Sequence, residues 1–219
     1  MKTFDQDLKD ELLAEIIKHR EQDQIIQGTY GEGIGKEWKG CAVGCSIHSL
    51  NKIKRKRLYT DNHKVYETYL GIPEAIARLE DTIFEGLPVE LAKEWPERFI
   101  KAVNVGADLS LVLPKFYIKI LTDKKHGVRQ YAFEDGKKAI DMVVKVHENH
   151  ISTGIRDEGA AYSAAYSAAM SAKDSAWIAM SAESAARSAA RSAASADSAA
   201  SAHYEWMADV LIKILEESK

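Results

Sequence analysis

From Ala160 to Lys219 the chain runs for sixty residues without a glycine or a proline, and as far as Ala202 it consists of little but serine and alanine. Alanine loses no rotamer freedom in a helix, and nothing in this stretch breaks one, so a helix is the expected conformation. Serines stand at Ser163, Ser167, Ser171 and Ser175, then at Ser181, Ser184, Ser188, Ser192, Ser195, Ser198 and Ser201. Steps mostly of three and four, with one gap of six, make a helical stripe and not a flexible serine-rich linker. Capped by Asp157 and continuous to about Glu217, the helix would be roughly 90 Å long at 1.5 Å per residue. It must then project, bend or find a partner. A hairpin with its corner between Ser192 and Ser201 is the rival arrangement; the lack of any breaker favours continuity.

Small side chains let helix backbones approach near the lower end of the usual roughly 8–10 Å separation. Tyr162, Tyr166, Met170 and Trp177 form a bulky stripe over the first third of the arm, followed by Ser184, Ser188 and Ser192 on the smooth part. These seven are the expected interaction residues, with Leu211, Ile214 and Leu215 as a second anchor. The arm either packs on its own domain, joins two copies, or offers a surface to another macromolecule. Its charged residues Lys173, Asp174, Glu183, Arg187, Arg191 and Asp197 balance, whereas attachment to a membrane surface needs a strongly basic polar face.

The 219 residues accommodate a compact domain over 1–156 and the helical arm over 157–219. The fold expected is mainly α: a compact multi-helix domain with a long Ala/Ser-rich C-terminal helix and at most one short β-hairpin. Thr3 with Gln6 resembles a capping box, after which Phe4, Leu8, Leu12 and Ile16 recur on one face. Asp61 or Asn62 starts a helix ending at Gly71. Pro73 opens one carrying Ile72, Ile76, Leu79 and Ile83, closed by Gly86; Pro96 opens another with Phe99 and Val103 inward. Pro114 divides the apolar stretch 109–121 into a turn and a helix through Phe116, Tyr117, Ile120 and Leu121. Val128 to Phe133 reads as a short strand, and Ala139, Val143 and Val146 mark a helix ending before Gly154.

Six glycines crowd into residues 28–44, a density that permits sharp turns and close backbone approach. The run Gly31-Glu32-Gly33-Ile34-Gly35-Lys36 lacks both the dinucleotide spacing and the Walker ending, and Glu32 would set a carboxylate near phosphates. A tight loop that fixes Trp38 and the following cysteine segment explains the same residues. That segment, Cys41-Ala42-Val43-Gly44-Cys45-Ser46-Ile47-His48, holds both cysteines and is the only compact collection of reactive side chains. Cys41, Cys45 and His48 are the candidate ligand site, for zinc or as a thiol beside an imidazole. The second pair of a structural zinc motif is absent from the sequence nearby, so two buried cysteines with His48 packing or capping is the simpler reading. His147 and His150 lack the extra residue of a zinc-hydrolase motif, but would supply the missing second pair if the fold brought them to the cysteines.

Lys54, Arg55 and Arg57, in the basic run 52–57, are candidate phosphate contacts, but the run is short and no interleaved aromatics follow it. The formal net charge of -3 gives no global reason to expect nucleic acid. No stretch has the eighteen or so apolar residues of a spanning helix. The acidic opening does not resemble a signal peptide and the two cysteines suit a reducing compartment, so a cytoplasmic location is expected.

Gly40-Cys41-Ala42-Val43-Gly44-Cys45-Ser46-Ile47-His48, Gly71-Ile72-Pro73, Trp95-Pro96-Glu97-Arg98-Phe99, Gly106-Ala107-Asp108-Leu109-Ser110 and the alanine-rich tail together resemble a family of uncharacterised bacterial and phage proteins. The resemblance covers most of the chain and implies a bacterial or prophage setting, without a catalytic residue or ligand to carry over. The function expected is therefore a non-catalytic interaction or self-association module, with a homo-oligomer or another protein as partner. The alternatives are a small-ligand or metal-dependent site at Cys41, Cys45 and His48, and nucleic-acid binding through 52–57. Neither a cofactor nor a catalytic residue is expected.

Overall fold

A computed structural model describes residues 5–155 and 197–219. The fold is mainly α, as the sequence predicts. Helices α1 (Gln6–Glu21), α2 (Ala42–Lys54), α3 (Glu74–Gly86), α4 (Val89–Ala102), α5 (Val112–Thr122), α6 (Glu134–Thr153) and α7 (Asp197–Glu216) follow in order. Short 3-10 turns occupy Gly35–Glu37 and Val128–Tyr131, and a π-helical turn occupies Tyr66–Leu70. Among the described residues the β-structure is limited to two isolated bridges, Ile25 with Gly40 and Glu32 with Lys39. None of the described helices is long and apolar enough to cross a membrane.

The chain divides into two packed units, Met1–Ser110 with Leu215–Lys219, and Leu111–Ile214. The boundary expected at 156/157 falls among residues outside those described, as do Tyr162, Tyr166, Met170, Trp177, Ser184, Ser188 and Ser192.

In the first unit, α1 packs on α2 and α4, α2 on α3 and α4, and α3 on α4. The four-residue spacing of α1 puts Leu8, Leu12 and Ile16 into the core. Its cap is Asp5, whose carboxylate accepts from Leu8 N–H at 2.9 Å; Thr3 and Phe4 lie outside the described residues. Ile76, Leu79 and Ile83 of α3 are buried as predicted. Gln27 closes that helix, its amide donating to the carbonyls of Phe84 (2.7 Å) and Leu87 (2.9 Å). Pro96 does not open a helix: Pro88 caps α4, and Pro96 sits inside it. An internal proline costs about 3 kcal/mol, but Trp95, Phe99 and Ile100 around it are all fully buried, and their burial outweighs that loss. The amine of Lys9 supplies α4 with a C-terminal donor, reaching the carbonyls of Lys101 (2.9 Å) and Val103 (2.7 Å). The last residues are fastened within this unit by Asn104, which donates to the carbonyls of Glu216 and Ser218.

In the second unit, α5 packs against α6. Pro114 stands in the first turn of α5, where its missing N–H is harmless, and Phe116, Ile120 and Leu121 are buried while Tyr117 is half-buried. Val128 to Phe133 is not a strand. Asp123 accepts from the N–H groups of Lys125 and His126 and turns the chain tightly, after which Val128–Tyr131 coils as a 3-10 turn against α5 with no strand beside it. Helix α6 ends at Gly154, in the left-handed conformation at φ 70°. Its inward face is Gly136, Ala139, Ile140 and Val144; Val143 and Val146 are half-buried, one residue off the phase expected. On α7, Met207, Ala208 and Leu211 are buried and Trp206 stacks on His126 at 5.1 Å between ring centroids.

Candidate metal centre

The glycine-rich segment is a tight loop built around Trp38. Glu32 and Lys39 exchange backbone hydrogen bonds of 2.9 Å across its neck. The Trp38 ring then lies so close over Gly31 and Gly40 that a Cβ on Gly40 would stand 2.8 Å from it. Directly after Gly40, Cys41 caps α2 and its sulfur accepts from Gly44 N–H at 3.3 Å. Gly44 is a glycine because the carbonyl of Tyr30 presses on the first turn of α2 at this point. The loop therefore places Tyr30 and Cys41 side by side at the start of a helix.

Helix α3 completes the arrangement. Asp81 and Glu85 are four residues apart and share one face of it. One donor atom from each of Cys41, Asp81 and Glu85 lies within 4.8 Å of the other two, and this is the only such group of three or more ligand-type side chains among the described residues. Asp81 is held by its Oδ2, which accepts from the Tyr30 hydroxyl at 2.8 Å and meets His63 Nε2 at 3.2 Å. Its Oδ1 is buried without a hydrogen-bond partner, and so is Nδ1 of His63, a residue only 4% exposed. Glu85 accepts from Gly28 N–H at 2.9 Å and stands at the exposed edge. Cys41 is the buried end, Glu85 the open one.

The electrostatics are those of a site short of positive charge. Burial pushes the Cys41 thiol well above its ordinary value, and the nearby Asp81 adds to the shift. Burial and then Asp81 push the Tyr30 hydroxyl up in the same way. The Glu85 carboxyl is raised by burial first, with Asp81 contributing. A thiol held protonated is a poor nucleophile. A divalent cation would oppose the shifts of Cys41 and Glu85 directly, because it binds thiolate and carboxylate in their charged forms.

Behind this cluster, Ser46, Tyr66 and Glu80 bring three more polar side chains into the core, each fully buried, with the Tyr66 hydroxyl interacting with the other two. Burial raises Glu80 well above the ordinary carboxyl value, so it is held as the neutral acid.

Of the residues singled out from the sequence, Cys41 alone enters the cluster. Cys45 is fully buried, its thiol donating to the carbonyls of Gly40 (3.4 Å) and Gln24 (3.8 Å). His48 stacks flat on Trp38, with centroids 4.0 Å apart and planes at 10°. The three do not converge on one point as a ligand set. His147 packs on Tyr117 in the second unit. Lys54, Arg55 and Arg57 are exposed at the C-terminal end of α2, where cations complement the helix carbonyls. Sequence reasoning missed Tyr30, His63, Asp81 and Glu85. The available signal was the Asp81–Glu85 pair on a helix whose other face is apolar.

Comparison with protein-family models, with curated proteins and with solved structures finds no match to this chain.

Proposed function

We propose that the protein binds a divalent transition-metal ion through Cys41, Asp81 and Glu85. The observation that carries this reading is the convergence of a buried thiol and two carboxylates, one of them with a buried, unpartnered oxygen. A soft sulfur donor with two oxygen donors suits zinc or ferrous iron better than calcium or magnesium. Zinc takes thiolate at about 2.3 Å and carboxylate at about 2.0–2.2 Å, so the three donors need only draw together slightly. Three protein ligands leave a coordination position for water or a small molecule on the exposed side of Glu85. Metal content after purification and titration with zinc and cobalt test the reading. One equivalent bound, with thiolate–cobalt absorption lost in Cys41→Ser, supports it; no binding by the wild type, or undiminished binding by Cys41→Ser and Asp81→Asn, overturns it.

Self-association through the Ala/Ser-rich arm is the second reading, supported by the serine and alanine spacing and by the absence of any helix breaker after Gly159. Deleting residues 160–219 would be a poor test, because it also removes the buried Leu211 and Leu215. Glutamate at Ser184, Ser188 and Ser192 is better: a self-associating wild type and a monomeric variant support this reading, whereas an assembly state unchanged by the substitutions counts against it.

A further inference from the structure

The glycine-rich loop is fastened by a chain of four side chains that the metal site does not use. The Gln24 amide donates to the Lys36 carbonyl at 3.2 Å, which turns its oxygen toward His19 Nδ1, 2.5 Å away. His19 Nδ1–H is thus the donor, and His19 Nε2 is left as an acceptor. His48 Nδ1 stands 3.4 Å from that nitrogen. On its far side His48 stacks on Trp38, and Trp38 is the ring that lies over Gly31 and Gly40. These two glycines adjoin Tyr30 and Cys41. The order is therefore Gln24, His19, His48, Trp38, loop.

Two imidazole nitrogens facing each other share a single proton. With one ring protonated the contact survives, since one nitrogen still donates and the other accepts. With both protonated, two N–H groups oppose each other, one of them on His19, which is 6% exposed. We propose that the His19–His48 pair is a pH-operated latch on the loop carrying Tyr30 and Cys41, closed while the pair holds at most one added proton and released by the second.

The charges around the pair do not cancel this behaviour. Glu15 on α1 favours protonation of both rings and Lys52 on α2 opposes it, but Glu15 is itself bound at 2.6 Å by Lys18 and by Lys52. From α4, which packs on both helices, Glu97 is held by Arg20 and Lys101. The loop contributes the Lys36 carbonyl and the uncharged indole of Trp38. Burial is the largest influence on both rings and favours the neutral forms. A histidine with a lowered folded value makes the closed form lose stability as pH falls below about 6.5. Release would free the backbone on either side of Tyr30 and Cys41. That consequence for metal affinity rests on the reading above; the latch does not.

The test uses metal-free, full-length protein, so a failure to bind metal leaves it unaffected. Trp38 emission, taken as wild type minus Trp38→Phe, is followed from about pH 8 to about pH 5, the range in which histidine changes charge. The expected result is a red shift as pH falls, with far-UV circular dichroism unchanged, and loss of that shift in His48→Phe, which keeps the ring stack without the proton. Imidazole proton resonances of the wild type provide a reading that needs no variant: the pair should titrate in two separate steps, the second accompanying movement of the Trp38 ring signals. An emission shift that persists in His48→Phe, no shift at all in the wild type, or one common histidine step at the ordinary value overturns the proposal.

Discussion

The carbonyl oxygen of Tyr30 stands 2.0 Å from the point that a Cβ on Gly44 would occupy. Backbone meets backbone here, and a side chain cannot rotate away to make room. Gly44→Ala must push the loop off the first turn of α2, disturbing Cys41 at the cap and Tyr30 above it. Overpacking of this kind costs about 3 kcal/mol. The urea midpoint should fall accordingly, and metal affinity should fall with it. Gly44 lies in α2 and has no positive φ, so the loss reports the clash and not backbone strain.

Metal uptake by Cys41 must displace the thiol proton that burial and Asp81 retain. Affinity should therefore fall about tenfold for each pH unit of acidification in the neutral range, one proton being released per metal. Competition with a chromophoric chelator at several pH values measures the slope. A slope near zero with intact affinity would mean that sulfur is not a ligand.

Glu80 gives a pH effect that does not depend on metal. Its carboxyl value is raised in the folded protein above the ordinary 4.5, so the folded state binds a proton that the unfolded state has released. Stability from this group is present below about 4.5 and is lost progressively as pH rises toward the folded value. Glu80→Gln does not titrate. Its advantage over the wild type in urea unfolding should grow from pH 5 to pH 8; a constant difference would show that Glu80 does not titrate differently in the two states.

Gln27 reaches across the chain to cap a helix that begins 47 residues later, with two bonds to the end of α3. Gln27→Ala leaves those carbonyls to water or unpaired, and should cost about 1–2 kcal/mol in chemical unfolding.

Several elements were legible because one local pattern decided them. Leu8, Leu12 and Ile16 make a four-step stripe, and Ile76, Leu79 and Ile83 another, and both face the core. Gly71 and Gly154 end their helices in the left-handed conformation that glycine adopts readily. Where long-range packing decides, local pattern misleads. Pro96 reads as a start, yet burial of Trp95 and Phe99 carries α4 through it. Val128 and the aromatics after it read as a strand, but a strand needs a partner, and the neighbour there is α5. The candidate site divides in the same way. Cys41 is conspicuous as one of two cysteines, whereas Asp81 and Glu85 look like ordinary surface carboxylates until α3 is laid against α2. Nothing in the spacing of Cys41, Cys45 and His48 reveals that His48 points to Trp38 instead.

His63 provides the strictest test of the metal reading, since it touches Asp81 without belonging to the ligand group. Its ring and the Tyr30 hydroxyl both engage Oδ2, which leaves Oδ1 as the free donor. If that division of labour is what orients Asp81, His63→Gln should weaken zinc binding by about 10–100-fold, the usual effect of losing an outer-shell partner. The number of metal equivalents bound should not change, because no ligand is lost. Tyr30→Phe removes the other restraint on the same oxygen and should act in the same direction. Because both partners hold one oxygen, the double variant should lose less than the product of the single losses if either restraint alone no longer fixes the carboxylate. Isothermal titration of the three variants decides it: full affinity in the double variant would mean that Asp81 is positioned by its helix alone, and the site would then consist of three ligands with no supporting shell.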